Sequence, residues 1–89
     1  MIYKDEYSIE LTKKLKKLKK KNPKQYKIIL KKRDEILEDP TRYKNLKYGL
    51  SDKKSVHIDR HFVLIFNVNI SNKKVKFLDY DHHDKIYKK

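Results

Sequence analysis

KSVHIDRHFVLIFNV, residues 54 to 68, decides how this chain folds. KSVHI reads as a strand, Asp59 and Arg60 as a turn, and His61 to Val68 as a second, more apolar strand. The unbroken run from Phe62 to Phe66 suits a central strand covered on both faces. Ser71, Asn72 and Lys73 supply another turn, and KVKFLDY, residues 74 to 80, reads as a third strand. Strands joined by connections this short run antiparallel, so the second half of the chain is expected to be a meander.

Upstream the periodicity is helical. Leu11, Leu15 and Leu18 share one helix face, with lysines over the rest and Ser8 placed to cap the start. Asn22 and Pro23 then suit the cap and first position of a second helix, and Gln25 sits where a capping box takes Glu or Gln. Tyr26, Ile29, Leu30, Arg33, Ile36 and Leu37 fall on one side of that helix, and Asp39-Pro40 stops it. MIYKDEY at the start reads as a short edge strand, TRYKNLKYGLSDKKS (41 to 55) as a basic irregular linker, and HHDKIYKK as a short C-terminal helix. Strand, helical hairpin, three-stranded antiparallel meander and short helix make one α+β domain over residues 1–89.

Composition narrows the function. Lys and Arg number 25 against 12 Asp and Glu, a formal charge of +13 on 89 residues. So strong a positive field on a small body favours polyanionic partners: nucleic acid, an anionic membrane surface or an acidic protein. No apolar run approaches membrane-spanning length, and MIYKDEYSIE carries charge where a signal peptide needs apolar residues. A cytoplasmic domain is the expectation. Without cysteine there is no disulfide framework, thiolate metal site or thiol nucleophile.

The meander has a geometric consequence for the four histidines. His57 and His61 flank the first turn, the central strand runs away from that turn, and the last strand runs back to it. His82 and His83 should therefore arrive beside His57, Arg60 and His61. Three readings stay open. The histidines are polar residues at solvated strand ends; or three imidazoles with Asp81 or Asp84 bind a divalent ion, although His57 and His61 bracket a turn rather than share a helix face; or they perform metal-free acid–base chemistry on RNA. RNA carries its own nucleophile, the 2′-hydroxyl, so the protein need only move two protons and stabilise charge on phosphorus. Histidine suits the first task and arginine or lysine the second. On a helical tail Tyr87 falls one turn from His83, where it could stack on a base.

The whole chain resembles the RelE/ParE superfamily, the toxin halves of type II toxin–antitoxin pairs. The resemblance rests on the order of elements, the L-K-x-G segment from Leu46 to Gly49, the strand pair KSVHIDRHFVLIFNV and the ending KFLDYDHHDKIY. The last two look most like the YafQ/RelE-like mRNA interferase branch, whose turn-flanking positions, closing histidine and aromatic fall here on His57, His61, His83 and Tyr87, His61 standing where YafQ has an acidic residue. The resemblance implies a RelE-like fold and a ribosome-dependent endoribonuclease that cuts mRNA in the A site without metal or cofactor. It implies catalytic roles for His83 and His57, with Tyr87 orienting a nucleotide and His61 in second rank. Arg60, Lys47 and Lys44 would hold phosphate. Its partners would be the ribosome, mRNA and an acidic RelB-like antitoxin in a hetero-oligomer, with no membrane. His82 is expected to face solvent. RelE proper has an arginine in the central strand where this chain has Val63, Leu64 and Ile65, which favours histidine-based chemistry. Two other classes remain: a ParE-like toxin that binds gyrase, and a basic RNA-binding domain without catalysis.

Overall fold

The computed structural model describes residues 2–45 and 53–86. Strand β1 (Lys4–Tyr7) leads into helices α1 (Ile9–Lys21) and α2 (Pro23–Glu38) and a 3₁₀ turn at Pro40–Arg42. Strands β2 (Lys54–His57), β3 (Phe62–Asn69) and β4 (Lys74–His82) follow, and α3 (His83–Ile86) comes last. The α+β order expected from the periodicities is the observed one. The L-K-x-G segment and Tyr87 lie outside the described residues.

The helix ends follow local chemistry. Ser8 Oγ accepts the Leu11 amide at 3.0 Å and caps α1, while its hydroxyl donates to the Leu78 carbonyl at 2.6 Å. One residue thus starts the helix and ties it to β4. Asn22 also serves twice. Its amide donates to the Leu18 carbonyl at the end of α1, and its Oδ1 accepts the Gln25 amide at the start of α2. Because the Asn22 amide is already used, the reciprocal half of a capping box cannot form. The Gln25 side chain turns inward instead, which corrects the expectation for that residue.

The sheet order is β1-β4-β3-β2. β2–β3 and β3–β4 are antiparallel, as a meander requires, and β1 lies at the edge, parallel to β4 from Lys4 opposite Lys74 to Tyr7 opposite Phe77. The helical hairpin covers one face. Leu11, Ile29, Ile36 and Leu37 pack there on Leu64, Phe66, Val75, Phe77 and Tyr80. Val63 and Ile65 form a smaller cluster of their own with Leu78 and Ile86. Alternate residues of β3 therefore serve two cores, which is why its sequence reads as an unbroken apolar run.

The β3–β4 ladder slips once, between Ile65 and Phe66. Ile65 faces Asp79 whereas Phe66 faces Phe77, leaving Leu78 as the extra residue. Phe77 and Tyr80 both reach the main core although they stand an odd number of positions apart, 77 and 80. A bulge re-phases the strand beyond it. Here it sets the direction of every side chain from Asp79 to His82.

Removing the Ser8 hydroxyl should cost stability at both ends of its bridge. Ser8→Ala is expected to lower the unfolding free energy by about 1–2 kcal/mol in urea denaturation, the usual range for a lost N-cap. An unchanged midpoint would contradict the double role given to Ser8.

Candidate functional site

β2 ends at His57, the chain bends through Ile58–His61, β3 departs, and β4 returns to finish at His82 opposite Phe62. Four histidines consequently meet at one end of the sheet, as two pairs. The His57 and His83 rings stack with centroids 5.8 Å apart and planes 24° from parallel. The His61 and His82 rings stack at 5.7 Å and 13°. The His83 amide donates to the His61 carbonyl and closes the gap between α3 and the bend. His82, the last residue of β4, and His83, the first of α3, thus belong to different pairs.

The bend is built on Asp59. Its Oδ1 accepts the backbone amides of His61 at 2.8 Å and Phe62 at 2.9 Å, an Asx-type turn. Its Oδ2 accepts from Gln25 Nε2 at 3.0 Å, and the same amide nitrogen donates to the Tyr80 hydroxyl at 3.1 Å. Gln25 is buried, 8% exposed, so α2 reaches through the core to hold the bend and β4 together. Partial burial acts to raise the Asp59 pKa, but the two amides and Gln25 outweigh it and hold the carboxyl below its ordinary range. Burial pushes the Tyr80 phenol up.

Aromatic packing continues the same support. Phe62 stacks on Tyr80 at 5.1 Å and meets His82 edge-on at 5.6 Å. On the outer side Lys14 of α1 secures β4 where β1 no longer covers it. Its Nζ donates to Asp79 at 2.6 Å, to the Tyr80 carbonyl at 3.1 Å and to Asp81 at 3.1 Å. Burial works against the Lys14 ammonium, yet the two carboxylates outweigh it and raise its pKa. Burial would likewise raise Asp81, but the His82 amide and Lys14 prevail and hold it low. An exposed sheet edge is thereby closed by a charge-assisted contact.

Of the residues singled out from sequence, His57, His83 and His61 lie at this sheet end, and exposed Arg60 occupies the same bend. Lys44 is set back: its carbonyl accepts the Ser55 amide, roughly 7 Å along β2 from His57. Lys47 and Tyr87 lie outside the described residues. His82, expected to face solvent, instead closes β4, with its side chain 39% exposed and stacked on His61. Its Nδ1 accepts the Asp84 amide at 3.2 Å. Among the described residues no group of three or more His, Cys, Asp or Glu is disposed to hold a metal ion. Gln25, Lys14 and Phe62 support the site through tertiary contacts that no local sequence pattern marks. Asp59 carried a usable signal, since aspartate in a turn accepts amides two and three residues on.

Comparison with known proteins agrees with this architecture. The chain is 52% identical over 88 residues to "Putative toxin RelE4" of Methanocaldococcus jannaschii, covering 99% of this chain and 94% of that protein. It is 59% identical over 78 residues to an uncharacterised Methanosarcina mazei protein, covering 88% and 91% respectively. Solved structures of the same fold include a YoeB/ParE toxin from Agrobacterium tumefaciens, at TM-score 0.80, 12% identity and coverage of 90% and 98%. The archaeal RelE–RelB complex from Pyrococcus horikoshii gives 0.71 at 21%, covering 92% and 96%. A YafQ variant from E. coli gives 0.65 at 17%, covering 96% and 98%. No protein-family model matches. A small basic α+β domain of this topology is a RelE-type toxin fold. The chain belongs to the RelE/ParE superfamily, the toxins of toxin–antitoxin systems.

A carboxyl held low in the folded state stabilises it above the unfolded pKa, about 4, and that contribution fades as pH falls through the folded value. Stability should therefore drop on acidification below about pH 4, and Asp59→Asn should flatten part of that loss. Urea midpoints between pH 3 and 7 provide the check, and an unchanged pH profile in the variant would contradict the role of Asp59. Gln25→Ala should cost about 1–3 kcal/mol, because it strips a buried hydroxyl and a carboxylate of their shared donor.

Proposed function

We propose that the chain is an endoribonuclease toxin that cuts mRNA on the ribosome and so arrests translation. The observation that carries this reading is the pairing of His57 and His83, two exposed or half-exposed imidazoles from distant parts of the chain, 5.8 Å apart. A phosphodiester seated against the open edges of the two rings would have a proton acceptor at one and a donor at the other. One imidazole takes the 2′-hydroxyl proton, the 2′-oxygen attacks phosphorus, and the other imidazole protonates the departing 5′-oxygen. The products are a 2′,3′-cyclic phosphate and a free 5′-hydroxyl, with no water consumed in the step. Proton transfer of this kind contributes about 10²- to 10⁴-fold per group.

Arg60, exposed in the same bend, would supply a guanidinium for the charge that builds on the phosphorane. Lys47, Lys44 and Tyr87 complete the proposal as phosphate and base contacts, and His61 is a second-rank participant through its pair with His82. A charge of +13 supports both attraction to ribosomal RNA and storage in a complex with an acidic antitoxin. The structure of the Pyrococcus horikoshii relative, a RelE–RelB complex, supports such a partner. No helix among the described residues is long and apolar enough to cross a membrane.

Primer extension on a translated mRNA tests the reading. Wild type should give codon-bounded stops, and His83→Ala should lose them by at least about 10²-fold while melting like wild type. Full cleavage by His83→Ala would remove the assignment. Absence of cleavage by wild type, with loss of gyrase supercoiling instead, would move the chain to the ParE-like class.

A further inference from the structure

We propose that the groove between α1 and the end of β4 is a track for single-stranded nucleic acid, continuous with the histidine cluster. The groove measures about 340 Å³ and is lined by Lys17, Leu18 and Lys21 of α1, by Phe62 and Tyr80, and by Lys85 of α3. Lys14 and Asp81 also border it, but they neutralise one another. What remains is three exposed lysines around an aromatic floor.

Position on the helix explains the alignment. Residues 14, 17 and 21 follow the spacing of one helix face, so fixing Lys14 on Asp79 and Asp81 turns Lys17 and Lys21 toward the groove. Lys17 and Lys21 form no ion pair with another described residue, and Lys85 approaches Asp81 only at 4.0 Å. The floor leads to the His61–His82 pair. Phe62 lies against Tyr80 on the groove side and against His82 at its other edge, and His82 stacks on His61. A strand whose phosphates follow the lysines can rest a base near Phe62 while its next phosphodiester reaches the His61–His82 pair at the end of the sheet. Cations along a backbone path with aromatic stacking are what single-stranded recognition requires. An acidic peptide would also meet the lysines. The continuity with the imidazoles favours the nucleic acid.

The inference depends on the nuclease reading for the strand being RNA, but its test needs no cleavage. A fluorescent single-stranded RNA carrying 2′-O-methyl groups, which lacks the nucleophile, is titrated into the full chain across a range of salt. Lys17→Glu/Lys21→Glu should weaken binding by about tenfold or more and lower the salt slope by about 1.4, as expected for two lost phosphate contacts on a single strand. A charge-matched control at the far end of the sheet, Lys4→Glu/Lys76→Glu, should leave the slope within about 0.3 of wild type. Equal losses in the groove variant and the control would overturn the track and leave only the general field of a +13 protein. Unchanged RNA binding with weakened binding of an acidic partner would overturn it too, assigning the groove to that partner. Loss of RNA binding in the groove variant, in a protein whose wild type cuts no mRNA, would uphold the track while removing the nuclease.

Discussion

The antiparallel pairing of β3 with β4, and its single slip at Ile65/Phe66, is the constraint on which the remaining structure depends. An uninterrupted ladder would place Asp79 and Asp81 in phase with Phe77, driving two carboxylates toward the core. With the bulge, Tyr80 enters the core and His82 falls over Phe62, while the two aspartates are met by Lys14. The same residue shift therefore satisfies the apolar face, closes the sheet edge and aims the end of the strand. Burying an unpaired carboxylate is costly enough to make the alternative register unstable.

Support for the histidine cluster comes through the core rather than from its surface. Gln25 connects the bend at Asp59 with Tyr80, and Tyr80 supports Phe62, which supports His82. The exposed rings thus stand on a buried polar contact and an aromatic stack, both fixed by the helical hairpin. A loop carrying reactive groups on a rigid scaffold is a common arrangement at functional sites. It also accounts for the buried Gln25, the one buried side-chain amide among the described residues: that amide fixes one geometry of the bend.

Much of this was legible in the chain itself. Ser8, the Asn22-Pro23 pair and the leucine spacing define both helices, because caps and periodicity are local. The turns at Asp59 and Ser71 define the meander, and reversal of the chain brings His57 toward His83. Other features are tertiary and leave no local mark. Nothing in KFLDYD signals a bulge, since no glycine or proline stands there. Gln25 looks like a capping residue until the Asn22 amide is seen to be taken by α1. β1 reads as an edge strand, but its parallel pairing with β4 depends on where the hairpin sends the chain. His82 looks solvent-facing only if it begins a helix, whereas β4 continues two residues further than its apolar pattern.

The central claim is that strand reversal brings the rings of His57 and His83 together. Nuclear Overhauser contacts among the imidazole protons of the folded protein measure this directly. Rings with centroids 5.8 Å apart should give cross-peaks between His57 and His83, and the 5.7 Å pair should do the same for His61 and His82. Absence of the His57–His83 contact, with β4 resonances pairing in a different register, would contradict the account.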